Sequence, residues 1–156
     1  MRTLAVGEMM TTNPITCHPN DNIVSVSKLL KKYNISSVIV VEDKVVQGLI
    51  TVDDIVRRVI AEKLDPEKTI AKDIMSKNLI SVEPQNTLEE TIEVLNSNRI
   101  SQVPVMKDKQ LFGFVTIKDI LRLEPAFFEF FFKTLEEEEK VRQKFIREYD
   151  DADLDL

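Results

Sequence analysis

The sequence contains itself twice. Gly48-Leu49-Ile50-Thr51-Val52-Asp53-Asp54-Ile55 returns as Gly113-Phe114-Val115-Thr116-Ile117-Lys118-Asp119-Ile120, so Thr51 and Thr116 stand 65 residues apart. The same step, without a gap, pairs Met10 with Met75, Asn13 with Asn78, Ile15 with Ile80 and Pro19 with Pro84. It also pairs Ile35-Ser36 with Ile100-Ser101, Val38 with Val103, Asp43-Lys44 with Asp108-Lys109 and Arg57 with Arg122. An internal repeat constrains the fold more than any local propensity, because both copies must find the same structure.

Each copy reads as strand, helix, strand, strand, helix. Ile15-Thr16-Cys17 is a short strand, and Pro19-Asn20-Asp21-Asn22 gives turn residues and a helix start. Ile23, Val26, Leu30 and Tyr33 then recur at three- and four-residue spacing, which predicts one apolar helical stripe. Val38 to Val41 is a β-branched run suited to a strand. Glu42-Asp43-Lys44 suits a hairpin turn, and Val45 to Ile50 is the returning strand. Thr51 can cap a helix whose first turn carries Asp53 and Asp54, where negative side chains complement the helix dipole.

The second copy repeats the path with a strand at Ile80-Ser81-Val82. Its helix starts near Thr87 and has Leu88, Ile92 and Leu95 on one face. Strands follow near Val103 to Met106 and Leu111 to Val115, and a last helix starts at Thr116. Pro66 breaks the joint between the copies, which is too short to let them flex apart.

These residues resemble the CBS domain pair, or Bateman module, of the stand-alone prokaryotic and archaeal type. The resemblance rests on the doubled Gly-apolar-apolar-Thr-x-x-Asp and on Met10 to Thr16 with Met75 to Ser81. It rests also on Ile35-Ser36-Ser37-Val38 with Ile100-Ser101-Gln102-Val103-Pro104-Val105. It covers roughly residues 5 to 123.

It implies an α/β fold of tandem CBS domains, 1–64 and 65–123, each a β-α-β-β-α unit, packed sheet to sheet as a pseudo-twofold pair with two clefts. Such modules commonly form disc-shaped homodimers. Members bind AMP, ADP, ATP, S-adenosylmethionine or similar adenosyl ligands, need no cofactor, and couple occupancy to a partner protein.

By the same resemblance, each cleft takes its base wall from one repeat and its Thr…Asp from the other. The first cleft would use Met10, Asn13, Ile15, Ile35 and Ser37 around the base. Asp119 would accept from the ribose diol, since an ionised carboxylate takes several hydrogen bonds at once. Thr116 would meet sugar or phosphate, free N–H groups at the helix start would favour an anion, and Lys118 would add positive charge. The second cleft would use Met75, Asn78, Ile80, Ile100 and Gln102 with Thr51 and Asp54. Asp53 stands there in place of Lys118, so the clefts are expected to be unequal, with the first preferring charged nucleotides. Ser37 and Gln102 are not cationic, which argues for monophosphate or adenosyl ligands over tight triphosphate binding. The alternative is that Thr51, Asp54, Thr116 and Asp119 are helix caps alone, in a ligand-free adaptor.

Composition narrows the field. The formal net charge of −6 argues against a nucleic-acid-binding surface. A single cysteine, Cys17, permits no intramolecular disulfide and reads as a small buried apolar residue. His18 reads as exposed. With one histidine, a conventional zinc site is not expected. No nucleophile–base pair or phosphate loop marks an enzyme. No apolar run reaches the roughly 18–20 residues that span a bilayer, and a soluble, cytoplasmic protein without membrane attachment is expected.

After Leu123 the repeat ends. Phe127, Phe128, Phe130, Phe131 and Phe132 open an expected aromatic-rich helix over 124–149, followed by a disordered acidic tail over 150–156. So many phenylalanines would pack on the core, on a dimer mate or on another protein.

Overall fold

A computed structural model describes residues 4–125 together with Glu136, Glu139, Lys140 and Gln143. The Phe127–Phe132 segment, most of the expected 124–149 helix and the 150–156 tail lie outside the described residues. After a 3-10 turn at Val6–Glu8, the first repeat runs β1 (Thr16–Cys17), α1 (Ile23–Tyr33), β2 (Ser37–Glu42), β3 (Val45–Thr51) and α2 (Val52–Ile55). A π-helical segment, Val56–Ile60, continues α2. The second repeat runs α3 (Ala71–Ile74), α4 (Leu88–Ser97), β4 (Gln102–Lys107), β5 (Gln110–Thr116) and α5 (Ile117–Leu123).

The helices begin where the capping signals sit. Asn22 Oδ1 accepts from the Ser25 N–H at 2.9 Å. Thr87 and Glu90 form a reciprocal capping box on α4. The Asn86 amide and the Thr87 N–H hold the Glu90 carboxyl below its usual range. The stripe of α1 is narrower than expected. Ile23, Val26 and Leu30 are buried, but Tyr33 is 45% exposed and carries the Lys32 ammonium over its ring at 5.1 Å. At Asn34 the chain turns left-handed (φ 50°) and leaves the helix, so Tyr33 remains on the rim.

Both hairpins use two residues at positive φ, Asp43-Lys44 (50°, 66°) and Asp108-Lys109 (52°, 63°), the turn whose twist matches paired strands. Both carry a bulge at the same place, after Val40 and after Val105. The strands form one sheet in the order β1-β2-β3-β5-β4. The two halves meet edge to edge through a single residue pair, Val45 with Gln110. Beside that pair the Val46 N–H reaches the Lys109 carbonyl at 3.1 Å, and Val38, Ile39 and Val40 in succession are buried, so both faces of β2 are covered.

The strand expected at Ile80-Ser81-Val82 is reduced to one parallel bridge, Val82 with Val105. Its physical reason is Pro104. In the first repeat the Ile39 N–H reaches the Ile15 carbonyl at 3.5 Å. Pro104 holds the matching position and has no N–H to give Ile80.

Two hydrophobic cores result. One gathers Ile23, Val26, Leu30, Val38, Val40 and Ile50 with Ala71 and Ile74. The other gathers Leu88, Ile92, Leu95, Val103, Val105 and Val115 with Val6. Val6 thus completes the second core, and Ala71 and Ile74 complete the first. The exchange is written in backbone bonds: Val6 N–H to Asn86 O (2.8 Å) and Gly7 N–H to Pro84 O (2.9 Å), mirrored by Ala71 N–H to Asp21 O (2.8 Å) and Lys72 N–H to Pro19 O (2.9 Å). The lead segment of each repeat therefore docks on the other repeat.

Candidate ligand cleft between the repeats

The exchange shapes a cleft. Thr11 and Phe114 swap two backbone bonds, at 2.9 and 3.0 Å, which hold the segment through Ile15 against β5. Met10 and Thr11 fill the space a side chain would take at Gly113. A Cβ there would lie 2.6 Å from Met10 Sδ and 2.7 Å from the Thr11 carbonyl. Behind this segment opens a cavity of about 530 Å³, within the range of small-molecule sites.

One wall of the cavity is Asn13, Ile15, Ile35, Ser37 and Ile39 from the first repeat. Across it stand Thr116, Lys118, Asp119 and Arg122 from the end of β5 and from α5. Seven of the eight residues assigned to the first cleft in the sequence line this one cavity. Met10 does not; it lies against Gly113 at the edge.

The polar end is tightly organised. Asp119 Oδ2 accepts from the Thr116 N–H at 3.0 Å and from the Thr116 hydroxyl at 2.8 Å, while Thr116 Oγ1 accepts from the Asp119 N–H at 3.2 Å. Thr116 has thus committed its proton and keeps only acceptor capacity, which suits a sugar hydroxyl and not a phosphate. Among the described residues nothing bonds Asp119 Oδ1. The Ile117 N–H goes to the Ser101 carbonyl at 2.9 Å. The open anion site expected at this helix start is therefore largely closed by the cap itself.

The second set of residues lies differently. Gln102, assigned to the second cleft, lines the cavity of the first, because β4 pairs it directly with Thr116. Met75 packs on Gly48 as Met10 packs on Gly113. Ile100 packs against the second core, and Ile80 is 37% exposed. Asn78 is exposed.

Thr51 and Asp54 repeat the cap, with the Thr51 hydroxyl 2.9 Å from Asp54 Oδ2. Here, however, Asp54 Oδ1 faces the Arg58 guanidinium at 3.4 Å, and Asp53 holds Arg57 at 2.7 Å.

Arg122 was missed in the sequence. Its signal was spacing: it stands four residues after Lys118, on the same helix face.

Burial, with Asp21 adding to it, pushes the Cys17 thiol up to about 12, so it stays protonated and apolar. His18 is exposed, with Nε2 3.5 Å from Glu42. Among the described residues no cluster of three metal-ligating side chains occurs, and no helix is long and apolar enough to cross a membrane.

Two copies of one α/β unit that exchange their lead segments around a cleft define a tandem module, and the sequence places it: the chain belongs to the CBS domain family, matched over residues 6–61 and 71–125. It is 34% identical over 146 residues to the uncharacterized protein MK0525 of Methanopyrus kandleri, covering 92% of this chain and 72% of that one. It is similar in structure to the CBS domain pair of protein MJ0100 in complex with 5′-methylthioadenosine and S-adenosyl-L-methionine. That likeness has a TM-score of 0.71 at 29% identity and covers 80% of this chain and 98% of that one. It is also 30% identical over 118 residues to inosine-5′-monophosphate dehydrogenase of Methanocaldococcus jannaschii, covering 74% of this chain but 22% of that enzyme. The likeness to an enzyme is thus confined to a small part of it.

Proposed function

We propose that this chain is a regulatory module that binds an adenosyl ligand of the AMP, ADP, ATP or S-adenosylmethionine class between its repeats and signals occupancy to a protein partner. One observation carries the reading. A single cavity sets an apolar wall of Ile15, Ile35 and Ile39 opposite the acceptor pair Thr116 and Asp119. A flat base fits the first, and a ribose diol fits the second. The MJ0100 pair, whose structure holds two adenosyl ligands, supports the choice of ligand class. The ligand sits in Asn13, Ile15, Ile35, Ser37, Thr116, Lys118 and Asp119. The cleft of Met75, Asn78, Ile80, Ile100, Thr51 and Asp54 is the weaker one. The module works as a homodimer in the cytoplasm, catalyses nothing, and meets its partner through the Phe127–Phe132 segment.

Calorimetric titration of the full chain with AMP, ATP, S-adenosylmethionine and 5′-methylthioadenosine tests this. At least one should bind. Asp119→Ala should weaken it about tenfold to a hundredfold, the value of a charge-assisted hydrogen bond or two. Asp54→Ala removes the same kind of cap and should leave the affinity in place. The reverse pattern would move the ligand to the other cleft. Binding by none of the four, with no thermal stabilisation, would sink the reading and favour a ligand-free adaptor.

A further inference from the structure

We infer that Lys118 and Arg122 form an anion clamp, which makes this cleft select a phosphorylated nucleoside over the unphosphorylated one; the inference rests on the ligand class proposed above. Both side chains line the cavity. They stand one helical turn apart on α5, so both heads can reach a single group. Among the described residues, neither takes part in an ion pair. Two cations thus face a cavity with their charge unspent.

The donors of the helix cap are already spent within the protein. The Thr116 hydroxyl donates to Asp119, the Asp119 N–H donates to Thr116, and the Ile117 N–H donates to Ser101. With the cap closed, the positive charge that the lining offers a phosphate is this pair of side chains. Arg122 offers a planar fork that matches two phosphate oxygens, and Lys118 adds a point charge.

The first repeat shows the same positions disarmed. Asp53 replaces Lys118 and neutralises Arg57 at 2.7 Å, the residue that matches Arg122. Arg58 is drawn to Asp54 at 3.4 Å. A ligand at α2 meets carboxylates already paired with arginines. A ligand at α5 meets two open cations beside one carboxylate.

AMP and adenosine share base and sugar and differ in the phosphate, so their affinity ratio reads the clamp alone. Titrated calorimetrically into the full chain under one buffer, AMP should bind at least about tenfold tighter than adenosine. Arg122→Gln should collapse that ratio toward one. Arg122→Lys, which keeps charge without the fork, should restore part of it. Added salt should erode the ratio in the wild type. Equal affinities in the wild type, or a full AMP preference in Arg122→Gln, would overturn the clamp while leaving the adenosyl site standing. If neither compound nor any adenosyl ligand binds, both readings fall together. Arg122 is exposed, so its replacement does not threaten the fold.

Discussion

In both repeats a threonine ends a strand and opens a helix, and in both an aspartate closes a reciprocal capping box: Thr51 with Asp54, Thr116 with Asp119. The backbone of the two boxes is nearly superimposable in its bonds. Val52 N–H reaches Ser36 O, and Ile117 N–H reaches Ser101 O, each at 2.9 Å. The side chains around them are not. Where α2 and its π-helical continuation carry Asp53 and Arg58, α5 carries Lys118 and Leu123. The cap is thus the conserved structural device of the repeat, and the residues beside it decide what the adjoining cleft can hold. A second difference lies on the opposite wall. The Ile39 N–H reaches the Ile15 carbonyl, whereas Pro104, at the position matching Ile39, has no N–H to give Ile80. One copy sets its apolar wall opposite cations outside any ion pair among the described residues, and the other carries its arginines beside carboxylates.

If the two copies were separate units, each would unfold by itself. Leu30 and Leu95 occupy matching core positions, 6% and 0% exposed. Either one changed to alanine should cost about 2–5 kcal/mol. Because Val6 completes one core and Ala71 with Ile74 the other, damage to either should unfold both. Urea denaturation followed by circular dichroism should show one transition, shifted to lower midpoint in both variants. Two resolved transitions would mean that the exchanged segments do not couple the repeats.

Much of this was legible before any coordinates. The gapless repeat gave the element order, the capping threonines, both hairpin turns and most core positions, because local pattern and burial agree there. Tyr33 misled, since a stripe of regular spacing says nothing of where the helix stops. The strand at Ile80 was misread for want of one inference: a proline opposite it removes the donor that strand needs. Gln102, expected at the second cleft, lines the cavity of the first because β4 sets it in register with Thr116, which spacing alone does not fix. The exchange of lead segments left no trace in the pattern, since a segment reads the same whichever copy it docks on. Arg122 was hidden in the last turn of a seven-residue helix, counted as a repeat position and not as a site.

The glycines sharpen the comparison at intermediate cost. A Cβ at Gly48 would lie 2.8 Å from both the Met75 sulfur and the Ser76 carbonyl, and one at Gly113 would press Met10 and Thr11. The sulfur can swing aside, but the backbone carbonyl cannot without moving its segment. Gly48→Ala and Gly113→Ala should each lose about 1–3 kcal/mol of stability. Only Gly113→Ala displaces Thr11, which lines the cavity, so only that variant should also weaken ligand binding. Equal loss of affinity in both would mean that the effect is global loosening and that the cavity edge plays no part.

The finest test transplants the difference itself. Arg58 lies four residues after Asp54 and faces its Oδ1, while Leu123 lies four residues after Asp119 and is 53% exposed. Leu123→Arg should therefore give Asp119 the partner that Asp54 has. An exposed pair of this kind is worth roughly 0.3–0.5 kcal/mol. A ribose hydroxyl that needs Oδ1 must first displace the arginine, so adenosine affinity should fall about twofold, the same energy expressed as binding. Adenosine is the right probe, because it lacks the phosphate that an added cation would attract. Stability should hold or rise slightly, since the pair forms only in the folded helix. An unchanged adenosine affinity would show that Oδ1 does not read the sugar. The contrast between the clefts would then rest on Lys118 and Arg122 alone.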